Sequence, residues 1–544
     1  MNMLKNILQY LKPFILDTKY KVIIFVLFMV SSITLKFIEP YLNSKFLDSV
    51  VYHMASNIIV ANVVIVIVVN LASITISFFS EIFISKLKTS ISFSMASSMI
   101  QHIQKIPILQ VEKYDPTYLT TRITTDVNIV LSFFIDNIVN IILAPFIIFF
   151  SAAFLLKTSF VLSAIALICI PIYFILYILM REPLAVTRKE YIDKQNAFTG
   201  IMVNELASVE DIKIQASFSK HDISVKNFFS IVFSSYIRAL KVNVTFSSLH
   251  GIISLVFQLI NLAYGGFLVA KGELTIGEYS IITVYFFYIL SQVDFFLNLG
   301  KSYQDTRVSF ERLQVLLTYE KEHNGAVQLK NINQISVEGL SYRYPGQDRT
   351  LINCVNCIFT PGKIYGIIGE NGSGKTTLLK IILGLLEYDT GSILYNGTLS
   401  TDVDLYDARE NLISVVQQFP HYPKISVRTL LDNQTSCWED VEQCIKCWGI
   451  DELYNNSRFR LSNILDRDIN ELSGGERQKL SLLFSLLKNP DVLILDEPTS
   501  ALDSGSVSCI IEFLGRYKKG HITICISHDK EVIAACEETI KLPS

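Results

Sequence analysis

The sequence predicts two parts of different fold class: an α-helical transmembrane domain with six spans and long cytoplasmic helices, followed by an α/β domain. Hydrophobic residues make up 50% of the 544 residues and charged residues only 18%, whereas soluble proteins carry about 25% charged residues. Of the 24 glycines, seven precede residue 321 and seventeen follow it. Because glycine permits tight turns and close approach of backbone to ligands, we expect long helices first and a turn-rich domain of alternating strands and helices second.

Six apolar stretches are each long enough to cross a bilayer, whose hydrocarbon core of about 30 Å takes about 20 helical residues. They are residues 22–42, 58–79, 133–156, 159–180, 244–270 and 276–300. A buried helix of a soluble protein could explain one such stretch, but not six in a chain so poor in charge. The first run continues at full spanning length without a small-residue cleavage site, so no cleavable signal peptide is predicted.

Lysine and arginine predict the orientation of these spans. Four lysines precede the first span, five basic residues lie between the second and third, and nine lie between the fourth and fifth. The other three connections hold about one each, and positive residues favour the cytoplasmic side. We therefore expect a multi-pass protein of a bacterial inner or plasma membrane, with the N-terminus, both long connections and the C-terminal domain in the cytoplasm.

A domain boundary is predicted near residue 320, which gives a transmembrane domain at 1–319 and a second domain at 320–544. The second domain contains IYGIIGENGSGKTTLL, which indicates a strand, a glycine loop and a helix. Residues 369–376 fit the phosphate-binding pattern G-x-x-x-x-G-K-[ST] in the context it requires. The sequence thus predicts an α/β P-loop NTPase fold. The predicted nucleotide-binding residues of this loop are Gly369, Asn371, Gly372, Ser373, Gly374, Lys375, Thr376 and Thr377.

The chemistry needs these residue types at this spacing. Gly372 and Gly374 let backbone N–H groups converge on phosphate oxygens, and the following helix start adds positive potential. Lys375 reaches the outer phosphates, and Thr376 can ligate Mg²⁺. A second apolar strand, VLIL, ends in Asp496 and Glu497. One carboxylate for Mg²⁺ and one to polarise the attacking water suffice for phosphoryl transfer, so ATP and Mg²⁺ are the expected cofactors.

The segment LSGGE at 472–476 lies about 20 residues before Asp496, and LDEPTSALD spans 495–503. With the phosphate-binding loop and the six preceding spans, the chain resembles an ATP-binding cassette (ABC) half-transporter of the exporter type. The resemblance covers nearly the whole chain. It implies an ATP hydrolase coupled to transport by alternating access, with one cassette per chain.

The resemblance also implies roles for further cassette residues. Tyr344 matches the aromatic residue that stacks on adenine, and Gln418 matches the glutamine that touches metal and water, with Gln417 as its competitor. Asp503 matches the segment called the D-loop, and His528 matches the histidine on the γ-phosphate. The predicted catalytic residues are Glu497, His528 and Gln418, and the predicted metal ligands are Thr376, Gln418 and Asp496.

In this family two cassettes pair head to tail. Ser473 and Gly475 would therefore bind the γ-phosphate held by the other chain, and the resemblance implies a dimer. Because this chain's nucleotide motifs are all intact, a homodimer is favoured over one half of a heterodimer. The global charge of −3 gives nucleic-acid binding no support. The expected partners are a second copy, membrane lipid and an exported substrate.

Departures from the family pattern bear on the substrate. Residues 461–476 read LSNILDRDINELSGGE, without the glycine-containing stretch usual in multidrug exporters, and Phe484 stands where arginine is common. A peptide or an amphipathic natural product is therefore favoured as cargo. A lipid or multidrug exporter remains an alternative, and a non-pumping regulatory or channel protein is a distant one.

Two weaker signals concern cysteines and charges within the spans. The pairs Cys354/Cys357 and Cys444/Cys447 could suggest zinc, but reduced cytosolic thiols are favoured, since no histidine lies close to either pair. Charged residues within spans are functional candidates, and here they are Lys36, Glu39, Asp136 and Asp294. Asp294 lies deepest among aromatic residues, so it could face a cavity and favour a cationic or amide-rich substrate.

Overall fold

A computed structural model describes residues 2–370, 372–418, 420, 422–433, 438–448, 450–454 and 460–542. The chain divides into two compact units. The first unit comprises Met1–Gln101 and Pro116–Thr318, and the second comprises His102–Asp115 and Tyr319–Ser544. The single boundary at 319/320 stays a prediction, and the second unit also takes in a short segment between the second and third spans.

The first unit is helical, and six stretches in the described part of the chain are long and apolar enough to cross a membrane. This confirms the predicted fold class of this part. Those stretches are Lys19–Val51, Ser56–Ile103, Pro116–Thr158, Phe160–Ala207, Phe218–Ala270 and Ile276–Leu317. The α-helices are α1 Asn2–Asp17, α2 Lys19–Val51, α3 Ser56–Ile103, α4 Ile108–Val111 (in the second unit), α5 Pro116–Thr121, α6 Val127–Thr158, α7 Phe160–Ala207, α8 Val209–Ile214, α9 Phe218–Ile260, α10 Gly266–Ala270 and α11 Ile276–Leu317.

The long helices extend well beyond the apolar stretches, and α7 continues without a break through Gly200. Helix α7 packs against α9, and α11 packs against α6 and α2. At the start of α11, Asp48 accepts hydrogen bonds from the Thr275 hydroxyl at 2.8 Å and from the Gly277 N–H at 2.7 Å. A Cβ at Gly277 would lie 2.3 Å from the Ser44 carbonyl oxygen, so only glycine allows this close approach of α2 and α11.

The second unit is an α/β domain, as the sequence predicts, and its described strands form two sheets. Its strands are β1 Ile335–Tyr342, β2 Ile352–Phe359, β3 Ile364–Ile368, β4 Thr390–Tyr395, β5 Thr398–Leu399, β6 Ile413–Val416, β7 Val492–Asp496, β8 Ile522–Ile526 and β9 Glu538–Lys541. Its further helices are α12 Lys375–Ile382, α13 Leu405–Asn411, α14 Val427–Asp432, α15 Trp438–Trp448, α16 Asp451–Tyr454, α17 Gly474–Leu487, α18 Ser504–Tyr517 and α19 Lys530–Ala534.

The larger sheet positions the site. Its strands run in the order β6-β7-β8-β3-β9 and pair in parallel. Strands β7 and β8 are buried almost throughout, which explains their unbroken apolar sequences. Because the carboxyl ends of parallel strands meet at one edge, the segments that follow β3, β6, β7 and β8 lie together there. The other sheet is antiparallel, in the order β2-β1-β4-β5.

Helix α4 is anchored to the α/β domain within the second unit. Ile108 and Leu109 pack against the buried core of that domain. Glu112 forms an ion pair with Lys380 of α12 at 3.2 Å. The helix that follows the phosphate-binding loop thus has a direct electrostatic link to the segment between the second and third spans.

Candidate nucleotide site

The loop between β3 and α12 has the backbone geometry of a phosphate cradle. Gly372 and Gly374 have φ angles of +83° and +94°, in the left-handed region that favours glycine. A Cβ at Gly369 would lie 2.4 Å from the Ser373 Oγ, so this position is closed to larger residues. The buried Lys375 ammonium donates hydrogen bonds to the carbonyl oxygens of Gly369 and Glu370 at 2.9 and 3.0 Å.

Two hydroxyls beside this loop fit a nucleotide. The Ser373 Oγ is buried and has no hydrogen-bond partner among the described residues, and an unpaired buried hydroxyl is costly unless a ligand or water satisfies it. The Thr376 side chain belongs to an exposed residue at the start of α12. Of the predicted loop residues, Asn371 lies outside the described residues.

Tyr344 lies next to the same helix. Its hydroxyl is 3.2 Å from the Thr377 Oγ1, and its ring is 5.1 Å from that of Tyr342, edge to face. Tyr344 is half-buried, so part of it is open to solvent. An aromatic residue fixed beside the loop can stack on a planar base, and the geometry brings Tyr344 and Thr377 together.

The end of β7 carries two carboxylates in different surroundings. Burial, followed by the negative charge of Glu497, raises the pKa of Asp496, and Lys375 opposes this rise. The pair of Asp496 and Lys375 is therefore electrostatically coupled at the edge of the sheet. A carboxylate whose charge is costly without a cation fits a ligand of Mg²⁺.

Glu497 has an unusual backbone. Its φ of +51° lies in the left-handed region, which is uncommon for a residue with a side chain and is found where function fixes the backbone. Its N–H donates to the Ile526 carbonyl at 2.9 Å. One carboxylate oxygen accepts from the His528 N–H at 3.3 Å, and the other lies 3.7 Å from the His528 Nε2. The structure thus brings the two residues together from β7 and β8.

Gln418 follows β6 by two residues and is half-buried, whereas Gln417 is exposed. In the parallel pairing of β6 and β7, Val416 stands opposite Leu495. Continuing that register would set Gln417 opposite Asp496 and Gln418 opposite Glu497. Both glutamines therefore come near the two carboxylates, and the choice of Gln418 over Gln417 stays a prediction.

The LSGGE segment presents a separate, open surface. Ser473 caps α17, and its hydroxyl donates to Glu476 Oε2 at 2.9 Å, within a capping box. A Cβ at Gly475 would lie 2.7 Å from the Ala501 carbonyl oxygen. Asp503 precedes α18 and accepts a hydrogen bond from the Ser506 hydroxyl at 2.6 Å. Ser473, Gly474 and Asp503 are exposed, and within the described residues no hydrogen bond joins Ser473 to the phosphate-binding loop.

Gln478 is a residue that the motif comparison missed. It is 3% exposed, and its amide donates to the Glu497 carbonyl at 3.1 Å and to the Ser500 Oγ at 2.8 Å. Its amide oxygen accepts from the Ala501 N–H at 3.2 Å. Gln478 therefore ties α17 to the segment that holds Glu497. One signal in the sequence could have identified Gln478. It is a polar residue on the apolar face of a helix, two positions after Glu476.

The predicted zinc alternative gains no support. Cys354 and Cys357 lie on β2 and Cys444 and Cys447 lie on α15, and all four are free thiols. Within the described part of the chain, no three histidine, cysteine or acidic side chains group to hold a metal. Burial raises the pKa of Cys357 to about 12 and that of Cys444 to about 11, which keeps both thiols protonated and weak as ligands.

The fold and site define a class: a nucleotide-binding α/β cassette fused to a multi-pass membrane domain. The family model described as ABC transporter matches residues 352–500, and the model described as ABC transporter transmembrane region matches residues 22–293. The chain belongs to the ABC transporter family, as a half-transporter of the exporter type. This is the class of ATP hydrolase that is coupled to transport.

Relatives and a solved structure agree with this assignment. The "Probable multidrug resistance ABC transporter ATP-binding/permease protein YheI" of Bacillus subtilis is 26% identical over 62% of this chain and 59% of its own length. The "ATP-dependent lipid A-core flippase" of Pseudomonas fluorescens is 33% identical over 40% of this chain and 36% of its own. The chain thus aligns with less than two thirds of each of these relatives.

The structure entitled "Structure of a bacterial Atm1-family ABC exporter with ATP bound" matches with a TM-score of 0.79 and 15% identity. The match covers 96% of this chain and 94% of that one. This likeness concerns the fold, and it extends over both units of the chain. The domain order of the half-transporter therefore holds from end to end.

Proposed function

We propose that this protein is an ATP-driven exporter of a bacterial plasma membrane, with its N-terminus and cassette in the cytoplasm and its domains divided near residue 320. The observation that carries the proposal is the pairing of Glu497, in a left-handed backbone conformation, with His528 at 3.7 Å. Intact hydrolytic residues favour a pump over a regulatory or channel protein of the same architecture, because neither of those needs turnover for its basic action.

Each residue has a proposed part in hydrolysis. Lys375 and the N–H groups of the glycine loop bind the phosphates, and Tyr344 supports the base. Thr376, Gln418 and Asp496 would hold Mg²⁺, which, when bound, neutralises phosphate charge. Glu497 orients and polarises the attacking water, while His528 positions that carboxylate and faces the terminal phosphate. Positioning and electrostatic stabilisation supply most of the catalysis in phosphoryl transfer.

We further propose a homodimer. Ser473 and Gly475 lie on a surface separate from this chain's own loop, and the Ser473 hydroxyl at a helix start is suited to a terminal phosphate. A second copy would complete each site with its own LSGGE segment, in closed two-fold symmetry. ATP binding would favour the closed pair of cassettes, and hydrolysis would remove that bias, so the membrane helices alternate between two states.

A peptide or an amphipathic natural product is the proposed cargo. The departures at residues 461–476 and at Phe484 set this chain apart from the usual multidrug pattern. The names of the relatives include a multidrug protein and a lipid flippase, so lipid and drug-like cargoes are the alternatives to test beside the peptide.

The test is ATP-dependent uptake into inside-out membrane vesicles by the wild type and by Glu497→Gln. Three labelled probes are compared: an amphipathic peptide, a phospholipid and a neutral drug-like amphiphile. We expect uptake of the peptide, and in Glu497→Gln a loss of hydrolysis by about 100-fold or more with ATP binding retained, since the amide lacks the basicity of the carboxylate. Glu512→Gln, an exposed change on α18, is the matched control. Hydrolysis by Glu497→Gln within twofold of the wild type would contradict the assignment.

A further inference from the structure

Three helices of the membrane unit bring together a polar cluster that has no part in the nucleotide site. Tyr173 of α7, His250 of α9 and Asp294 of α11 form it. The Tyr173 hydroxyl donates to Asp294 Oδ1 at 2.6 Å, and the rings of Tyr173 and His250 are 4.8 Å apart at 61°. Tyr173 is 0% exposed, while Asp294 and His250 are half-buried. The cluster is therefore packed on one side and partly open on another.

The cluster lies within the predicted spans. At 1.5 Å per residue, Asp294 is about 27 Å along the axis from the start of α11, and Tyr173 is about 20 Å from the start of α7. Tyr173 thus lies past the middle of a hydrocarbon core of about 30 Å, and Asp294 lies near its far end. An ionisable side chain within a span is costly and calls for a partner.

The charge of Asp294 lacks such a partner among the described side chains. Its carboxylate has the Tyr173 hydroxyl but no ion pair, whereas Asp136 pairs with Lys88 at 2.5 Å and Asp126 pairs with Arg122 at 2.7 Å. The buried Nε2 of His250 also makes no hydrogen bond within the described part of the chain. Two polar groups of one cluster are thus incompletely satisfied, in a region where water is scarce.

Aromatic rings complete the surroundings. The Phe246 ring lies 6.2 Å from that of Tyr173, whose own ring contacts that of His250. Aromatic faces attract cations and repel anions through their quadrupoles. A carboxylate among such rings selects for positive charge and for an apolar body at the same time.

We propose that Tyr173, His250 and Asp294 form a binding site for the cationic group of an amphipathic substrate within the membrane unit. Asp294 supplies the counter-charge, Tyr173 fixes the orientation of the carboxylate, and the His250 Nε2 accepts a donor of the cargo. The inference rests on the proposed export function, because it names the chemical class of the cargo that would be carried.

A purely structural hydrogen bond between α7 and α11 makes a different prediction. In Asp294→Asn the amide oxygen can still accept from the Tyr173 hydroxyl, so the packing survives while the charge is lost. A change in cation binding in this variant therefore reports the charge. The matched control is Asp305→Asn, which removes an exposed carboxylate from the same helix.

The experiment measures equilibrium binding of tetraphenylphosphonium to the purified, nucleotide-free protein in lipid nanodiscs. Tetraphenylborate has the same shape and the opposite charge. We expect saturable binding of the cation, with the anion at least about tenfold weaker. Asp294→Asn should weaken cation binding by about tenfold or more, which corresponds to about 1.4 kcal/mol, Tyr173→Phe by about threefold, and Asp305→Asn not at all.

Three results would overturn the site: no saturable cation binding, equal binding of the anion, or the same loss in Asp305→Asn. Should Asp294→Asn fail to fold, Tyr173→Phe and His250→Phe carry the test, and wild-type affinity in both would count against the cluster. Because binding is measured without ATP, it separates the two proposals. Cation binding without ATP-driven uptake of any probe would contradict export alone, whereas uptake without cation binding would contradict the site alone.

Discussion

The cassette and the membrane unit organise their polar groups in opposite ways. In the cassette, neighbours in sequence act together: Gly372, Gly374 and Lys375 shape one loop, and Asp496 and Glu497 end one strand. In the membrane unit, Tyr173 and Asp294 meet across 121 positions of sequence. The difference shows that a fixed ligand such as a phosphate can be held by a short backbone motif, whereas the proposed cargo site would be built from single side chains on separate helices.

The largest effect is expected when the ammonium group of Lys375 is removed from the phosphate-binding loop of the cassette. Lys375→Ala should lower ATPase activity by about 100-fold or more and weaken ATP binding by about tenfold, because the charge of the outer phosphates is then less neutralised. Phosphate release and nucleotide binding in nanodiscs are the measurements. Lys519→Ala, an exposed change in the same domain, should match the wild type, and unchanged activity in Lys375→Ala would refute the loop assignment.

Gln478 tests whether side chains beyond the motifs matter in the cassette. In Gln478→Ala, the Glu497 carbonyl, Ser500 and the Ala501 N–H each lose a partner. We expect kcat for ATP hydrolysis to fall by about tenfold, the size of one or two lost buried hydrogen bonds, with KM for ATP nearly constant. A rise in KM with kcat unchanged would show that Gln478 serves binding and not the position of Glu497.

The carboxylate of Asp496 should destabilise the folded protein when no nucleotide or metal is bound. Its raised pKa means that the folded state holds the proton more strongly than the unfolded state. Its ionisation therefore disfavours folding increasingly as the pH rises above the ordinary pKa of an aspartate. Without nucleotide, Asp496→Asn should raise the melting temperature at pH 7 and raise it less at lower pH, while Mg²⁺-dependent hydrolysis is lost. A lower melting temperature at pH 7 would contradict this reasoning.

The smallest effect is expected for the paired carboxylate of the membrane unit. Asp136 already has a cationic partner in Lys88 at 2.5 Å, so its charge is compensated within the membrane unit. Asp136→Asn should leave ATPase activity within twofold and tetraphenylphosphonium binding unchanged. If Asp136→Asn weakened cation binding as much as Asp294→Asn, the contrast between a paired and an unpaired charge would fail.

The sequence predicts more residues of the nucleotide site than of the polar cluster in the membrane unit. Phosphate chemistry demands glycine, lysine and carboxylates at fixed spacings, so the loop and strand ends could be read directly. The left-handed backbone of Glu497 could not, because it depends on the hydrogen bond of its N–H to Ile526 on the neighbouring strand. The role of Gln478 could not be predicted for a similar reason, since its hydrogen-bond partners lie about 20 residues away on another segment.

In the membrane unit, sequence alone identifies candidates but not partners. Asp136 and Asp294 are both candidates as acidic residues in apolar spans, and the sequence favours Asp294 only for its depth and its aromatic neighbours. Helix packing separates them, because α3 brings Lys88 to Asp136 while α7 brings only a tyrosine hydroxyl to Asp294 among the described residues. The sequence does not single out His250, and its proposed role depends on the ring of Tyr173 that packs against it.

The most direct test of the central claim, that two copies of this chain build the ATP sites together, combines two defective chains. One carries Lys375→Ala and the other Ser473→Arg, and differently tagged copies are co-expressed and purified through both tags. In the mixed dimer one composite site receives both lesions and the other receives neither. We predict phosphate release by the mixed dimer clearly above that of either variant alone. Mixed dimers as inactive as the single variants, or a wild-type chain that is monomeric and inactive in a bilayer, would contradict the claim.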